Sequence, residues 1–300
     1  MGIVVVGSIN TDLVTITPRW PEAGETLLAD GFAVLPGGKG ANQAVAVARL
    51  GGSVQMVGRI GDDGFGRDRL NGLRASGVDV SHVRISPGVA SGVATILVET
   101  NGENRILCVS GANALVTPED VDPALLGAAD LVLLQLEIPA ATVAAVIARC
   151  GAKVLFNPAP VAPVDPAWLR GLGYLVANRI ELAQLTGRPT GRMDEVVAAA
   201  RRLVRQGVGV VIATLGADGA MLVTSERVAH VEAPVVQAVD TTGAGDAFIG
   251  CFAQTLVATG DLDAALVRAV RYAAVSVTRR GTQDSYLDAA ALAGLEGFGP

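Results

Sequence analysis

"AVDTTGAGDAFIGCFAQTLVATG", Ala238 to Gly260, passes from an extended segment through a glycine-rich turn into an apolar helix that ends at Gly260. Gly243 and Gly245 permit backbone angles closed to other residues. They let successive N–H groups converge on one point, and the helix beginning there adds the positive end of its dipole. The expected product is a small anion hole of Gly243, Ala244 and Gly245, with Asp246 in the first helical turn beside it. The plain alternative is a helix N-terminus with a favourable acid on its dipole.

Outward from this stretch the strand–turn–helix rhythm repeats. "GIVVVGS" (2–8) reads as a buried strand, β-branched and bounded by glycine. "GANQAVAVARLGG" (40–52) reads as a helix of small residues stopped at Gly51. "SVQMVGRIG" (53–61) is then a strand and "FGRDRLNGLRASGV" (65–78) a helix, with Gly77 after its last turn. Strand-like "DLVLLQLE", "AKVLFNP", "YLVAN" and "GVVIATLG" alternate with helix-like "AATVAAVIARCG", "RIELAQLTG" and "MDEVVAAARRLVRQGV". This alternation predicts an α/β fold, a doubly wound, mostly parallel sheet with helices on both faces.

Residues 13–35 and 89–111 break the rhythm. "LVTITPRW", "TLLADGFAVL", "GVATILVET" and "NRILCVS" alternate with period two, and "TNGENR" carries a hairpin signal with Asn101-Gly102 at its tip. We read them as a small antiparallel sheet, one face polar, inserted into a main domain of residues 1–12, 36–88 and 112–300. Such a sheet usually covers a ligand or a partner subunit.

Half of the 300 residues are hydrophobic and 17% are charged, which supports a large core with tight helix–sheet packing. The net charge is -6 and no Lys/Arg run appears, so neither nucleic acid nor an anionic membrane is expected as a partner. Cys108, Cys150 and Cys251 lie far apart without a CxxC, and His82 and His230 stand alone, which argues against zinc and against a disulfide framework. There is no basic leader before Ile3–Val6 and no run of about 18 apolar residues. A reducing cytoplasm fits these features.

A carboxylate beside an anion hole suits a reaction in which it holds a hydroxyl while that hydroxyl attacks a bound phosphoryl group. Such chemistry needs positioning, charge neutralisation and a place for one proton. A second glycine cluster, "LPGGKGANQAV" (35–45), also opens a helix. It is not a Walker A loop, which would need Gly where Ala33 stands and Ser or Thr where Gly40 stands. Lys39 and Asn42 are instead donors for hydroxyls or a phosphate; a plain tight turn is the alternative. Asp12, in "GSINTDL" after the first strand, and Asn10 are placed for neighbouring hydroxyls of a polyol, because ligands sit at the carboxyl ends of such strands. For Asp12 alone a turn cap is the alternative.

"GGKGANQAVAVARLG" together with "DTTGAGDAF" resembles the paired signatures of the ribokinase-like (PfkB) carbohydrate kinases. The resemblance covers nearly the whole chain: "GSINTD", "IGDDGFG", "GANALVTPEDV", "QLEIP", "NPAP", "NRIELAQLTG", "TLGADG" and "VTRRGTQDS" also fall in family order. Within the family, "GGKGANQA" and "QLEIP" are more similar to the ribose-phosphorylating branch than to fructokinases or adenosine kinases.

The resemblance implies a doubly wound domain with a β-sheet lid, often a homodimer interface. It implies transfer of the γ-phosphoryl group of ATP to the 5-hydroxyl of ribose, with magnesium and potassium. By matching motif, Asp246 is the base, and Gly243, Ala244 and Gly245 are the anion hole, Gly245 also touching nucleotide. Asn10, Asp12, Gly38, Lys39, Asn42 and Glu137 hold the sugar; Asn178, Thr214 and Gly216 line the ATP side. Glu181 acts on magnesium through water. Potassium takes the Asp240 carboxylate, carbonyls of Thr242, Ser276, Arg279 and Gly281, and the Ser285 hydroxyl.

Two positions depart from the pattern. Arg179 stands where an acid commonly follows the Asn of Asn-x-x-Glu, and Val270 stands where ribose kinases often carry Asn or His near the adenine. Deoxyribose, fructose or a nucleoside remain as other acceptors, with Ile96 or Leu97 setting specificity. A non-catalytic sugar- or nucleotide-binding regulator would be expected to lose Asp246 or a glycine of the anion hole, and all are present. A dehydrogenase would need a GxGxxG after the first strand, which is absent.

Overall fold

The computed structural model describes residues 2–99 and 103–296. Its strands are β1 (Ile3–Val6), β2 (Asn10–Thr17), β3 (Gly31–Gly37), β4 (Val54–Gly61), β5 (Asp79–Ser86), β6 (Gly92–Glu99) and β7 (Asn104–Val109). They continue with β8 (Leu131–Leu134), β9 (Val154–Phe156), β10 (Tyr174–Asn178), β11 (Val210–Thr214), β12 (Ala220–Val223) and β13 (Val228–Val231). The helices are α1 (Lys39–Arg49), α2 (Gly64–Ala75), α3 (Pro123–Ala128), α4 (Ala140–Cys150) and α5 (Pro166–Leu169). After them come α6 (Arg179–Thr186), α7 (Met193–Arg205), α8 (Ala244–Thr259), α9 (Leu262–Ser276) and α10 (Ala289–Glu296).

The strands of the main sheet are buried on both faces, so they read as continuous apolar runs rather than alternating ones. Ile3 and Val5 of β1 point into a core with α1, α8 and α9; Val4 and Val6 point into a second core with α4, α6 and α7. The nine strands lie in the order β13-β12-β11-β10-β9-β8-β1-β4-β5. Pairing from β11 to β5 is parallel, while β12 and β13 close one edge antiparallel. The doubly wound, mostly parallel sheet is therefore as the sequence predicts. The β12–β13 hairpin is not legible there, because "AMLV" and "VAHV" are only four residues each and no helix separates them from β11.

β1 sits between β8 and β4, where the winding changes direction. A crevice opens at the carboxyl ends of strands at such a point. It brings the residues after β1 beside those after β8.

The second sheet has the order β3-β2-β6-β7. Its strands extend beyond the stretches marked in the sequence: β2 begins at Asn10 and β3 runs to Gly37, so Asn10 and Asp12 belong to this sheet. It is also not wholly antiparallel, for β2 and β6 run parallel. Both enter from the carboxyl edge of the main sheet, after β1 and β5, and so travel the same way. The expected hairpin tip at Asn101-Gly102 lies outside the described residues.

Register divides this sheet into two faces, because directly paired residues share a side. Asp12, Leu35, Ala94 and Cys108 form a row on one face; Leu13, Val34, Thr95 and Leu107 form the next row on the other. Ile96 falls on the Asp12 side and is buried, whereas Leu97 falls on the opposite side. The second face is not polar as the sequence reading expects: Phe32, Val34, Leu107 and Val109 are exposed on it.

Candidate active site

The Gly38 turn enters α1 with φ 90°. A Cβ there would lie 2.7 Å from the Asn10 backbone nitrogen, so the turn presses on the exit of β1. Ser8 and Glu137, brought together by the β1–β8 crevice, satisfy the start of α1. Ser8 O accepts from Ala41 N at 2.9 Å, and Glu137 Oε2 accepts from Lys39 N at 3.0 Å and from the Ser8 hydroxyl. The N-terminus of α1 is thus occupied by the protein's own carboxylate.

The N-terminus of α8 is different. Gly243 caps it in the left-handed region, φ 75°, and a Cβ there would lie 2.2 Å from Thr282 Cγ2. The Tyr286 hydroxyl donates to Gly243 O at 3.0 Å and fixes the turn. Gly243, Ala244, Gly245 and Asp246 line a cavity of about 650 Å³. Lys39, Asn178, Glu181, Thr214 and Gly216 line the same cavity, as does Val270 on an apolar wall with Ala273, Ala274 and Val277. The first N–H groups of a helix have no intrahelical partner, and here they border an open volume.

Asp246 is buried and accepts from Asn42 Nδ2 and Gln43 Nε2, both at 3.0 Å. Its negative charge is the main reason the Lys39 ammonium is held above its ordinary range; burial opposes, and Glu137 and Glu181 add to the effect. Asp12 is pushed up to about 6, chiefly by burial and then by the nearby charge of Glu137. Asn113 Nδ2 donates to Asn10 Oδ1 at 2.7 Å, so Asn10 has its own amide N–H groups left to offer. Asn10, Asp12, Gly38, Lys39, Asn42 and Glu137 therefore gather at the small-sheet end, and Asn178, Thr214 and Gly216 at the far side, with Asp246 between them.

Asn178 and Glu181 form a reciprocal cap at the start of α6, with N–H···O distances of 2.9 Å in both directions. Burial raises the Glu181 carboxyl. Arg179 does not line the cavity; it donates to Thr190 O at 2.8 Å and lies 2.7 Å from Asp218 Oδ2.

The segments holding Asp240 and Thr242, and Ser276, Arg279, Gly281 and Ser285, are tied together. Val239 N and Asp240 N donate to Val277 O at 2.7 and 3.1 Å, and Gly281 N donates to Asp240 Oδ2 at 2.9 Å. Burial opposes ionisation of Asp240, but hydrogen bonds from Thr242 and Gly281 outweigh it and hold the carboxyl below its usual range. The Ser285 hydroxyl donates to Thr282 O at 2.7 Å. Among the described residues no group of three or more His, Cys, Asp or Glu gathers as a metal site.

Sequence reasoning passed over Ser8, Gln43, Asn113, Gln135, Gln283 and Tyr286, all buried. Two left a signal: Gln135 interrupts the apolar run "LVLLQLE", and Gln43 stands beside Asn42 in a helix made mostly of small and apolar residues.

Residues 2–290 match the model of the pfkB family carbohydrate kinases. A deoxyribokinase of Salmonella typhimurium is 45% identical over 292 residues, 95% of each chain. A ribokinase of Schizosaccharomyces pombe is 42% identical, covering 95% of this chain and 94% of that one. Among solved structures, Arabidopsis thaliana ribokinase complexed with ribose and ATP superposes with a TM-score of 0.93 at 32% identity, covering 99% of both chains. The cavity, its two glycine turns and the full-length match agree: this chain belongs to the pfkB family of carbohydrate kinases.

Proposed function

We propose that the chain transfers the γ-phosphoryl group of ATP to the 5-hydroxyl of a pentose, D-ribose being the first reading. The observation that carries this is the placement of Asp246, buried at the N-terminus of α8 where the cavity meets the polyol-type cluster of Asn10, Asp12, Lys39, Asn42 and Glu137. A second reading, 2-deoxyribose as preferred acceptor, is favoured by the 45% identity to a deoxyribokinase.

In this mechanism Asn10, Asp12 and Glu137 hold the sugar hydroxyls, and Asn42 and Lys39 bind beside them. Asp246 orients the 5-hydroxyl and takes its proton as the oxygen attacks. The N–H groups of Gly243, Ala244 and Gly245 meet the charge developing on the transferred group. Asn178, Thr214 and Gly216 hold the nucleotide, with Val270 against its base. The small sheet closes over the sugar and excludes water, which limits ATP hydrolysis. Domain limits, lid role and a cytoplasmic setting belong to this proposal; no helix among the described residues is long and apolar enough to cross a membrane.

Glu181 fits magnesium bound through water, since its Oε2 is engaged by Asn178 N while its side chain borders the cavity. Asp240, Thr242, Ser276, Arg279, Gly281 and Ser285 fit potassium: all donors are oxygens and the two segments are already joined. When bound, these ions supply positive charge for the phosphates and the anion hole.

The test is ADP release with magnesium and potassium across ribose, deoxyribose, fructose and adenosine, for the native chain and Asp246→Asn. A pentose should win, and Asp246→Asn should lose about 10²–10⁴-fold in kcat with its fold intact. Adenosine or fructose preferred over both pentoses removes the acceptor assignment. A near-native Asp246→Asn removes the base.

A further inference from the structure

Asp246 is the centre of a buried chain of side-chain amides. On one side Gln135 Nε2 donates to Gln43 Oε1 at 2.7 Å, and Gln43 Nε2 donates to Asp246 Oδ1 at 3.0 Å. On the other, Gln283 Nε2 donates to Asn42 Oδ1 at 2.9 Å, and Asn42 Nδ2 donates to Asp246 Oδ2 at 3.0 Å. All five side chains are buried, and Gln43 and Gln135 are wholly so. They come from α1, the exit of β8, the first turn of α8 and the turn Gln283–Ser285.

An amide has a donor end and an acceptor end, so its orientation matters. An ionised carboxylate only accepts. It turns the N–H ends of Gln43 and Asn42 towards itself and leaves their oxygens to be met by the N–H ends of Gln135 and Gln283. Four amides thus share one polarity, directed at Asp246. Packing alone does not call for this. Leu or Met would fill the places of Gln43 and Gln135 without the desolvation of two amides.

The geometry points to Gln43 as a positioning residue for Asp246, with Gln135 fixing which end of Gln43 meets the carboxylate. This rests on the reading of Asp246 as the base. One N–H on each oxygen holds the carboxylate plane and leaves each oxygen a second lone pair for the sugar hydroxyl and its proton. Asn42 does the same on Oδ2 but also stands among the proposed sugar contacts. Gln43 is wholly buried, with its Nε2 on Asp246 and its Oε1 taken by Gln135, so it acts through Asp246.

The test is a double-mutant cycle with ATP and the preferred pentose: the native chain, Gln43→Leu, Asp246→Asn and both together. Gln43→Leu should lower kcat about 10–100-fold and leave the acceptor KM within about threefold. In the Asp246→Asn background the same change should alter the residual rate by less than about threefold, because the group it positions is gone. Equal losses in both backgrounds, or a change confined to KM, overturn the assignment. If Gln43→Leu does not fold, Gln135→Met takes its place in the cycle, with an expected loss of about 3–10-fold that vanishes with Asp246. A near-native rate for Asp246→Asn alone strikes the base itself, a failure distinct from additive losses.

Discussion

Asp12 couples stability to the proposed binding of the sugar. Burial and the Glu137 charge push its carboxyl up to about 6 from an ordinary 3.8, against the pull of Arg69 and Lys39. Between those values the unfolded chain has released the proton while the folded chain still holds it. Stability therefore falls as pH rises through this window, and the loss is complete above about 6. Asp12→Asn should raise the melting temperature by about 2–5 °C at pH 7.5 and change it little at pH 4. In its proposed contact with the sugar this carboxyl accepts more strongly when ionised, so the native acceptor KM should rise as pH falls below about 6. In Asp12→Asn the KM should be high and flat over that range. An Asn variant no more stable at pH 7.5 removes burial as the cause of the shift. The sequence marks Asp12 and Asp246 because each follows a glycine-bearing turn at an element's end. It marks Gln43 and Gln135 only as polar residues among apolar ones; what they do lies in a partner 92 residues away.

At the scale of elements, α8 depends on how the glycine that caps it is held. Gly243 takes φ 75°, and a Cβ would meet Thr282 at 2.2 Å and the Tyr286 hydroxyl at 2.9 Å. Gly243→Ala therefore strains the turn and pushes apart the two segments that carry the proposed potassium ligands. It should cost about 1–3 kcal/mol of stability and at least tenfold in kcat. Chemical denaturation and steady-state rates check both; a native rate removes the turn from catalysis. The joined segments also predict that activity falls in sodium-only buffer and recovers with potassium, while Asp240→Ala is slow in both. Equal native rates in the two salts remove the cation site. α8 is legible because a long, mostly apolar run ends at Gly260, and β1 because a short β-branched run ends at Gly7. The parallel pairing of β2 with β6 is not, since it depends on where two distant excursions leave the main sheet.

Among the described residues the small sheet carries apolar side chains that its own core does not bury. The outer face of the small sheet exposes Phe32 by 67%, Leu107 by 71% and Val109 by 63%, and the register places Val34 in the same row as Leu107. The opposite face carries Asp12 and buried Ile96 and turns to the proposed sugar site, and among the described residues the exposed apolar side chains of this outer face are left uncovered. A contiguous apolar face of this kind marks an interaction site. We propose a second copy as its occupant, because a two-fold axis pairs a surface with itself and needs no other complement. The sheet would then be a lid for one protomer and a brace for its partner. We predict that the native chain sediments at twice its monomer mass at micromolar concentration, and that Phe32→Lys with Leu107→Lys sediments at the monomer mass. Four lysines facing one another across the axis would combine repulsion with lost apolar burial. The variant should keep a folded main domain, seen in an unchanged far-ultraviolet circular dichroism spectrum. Its acceptor KM should rise by about tenfold, because an unbraced lid loses pre-organisation over the sugar. A native chain that stays monomeric removes the dimer. A monomeric variant with native KM keeps the dimer but separates it from sugar binding.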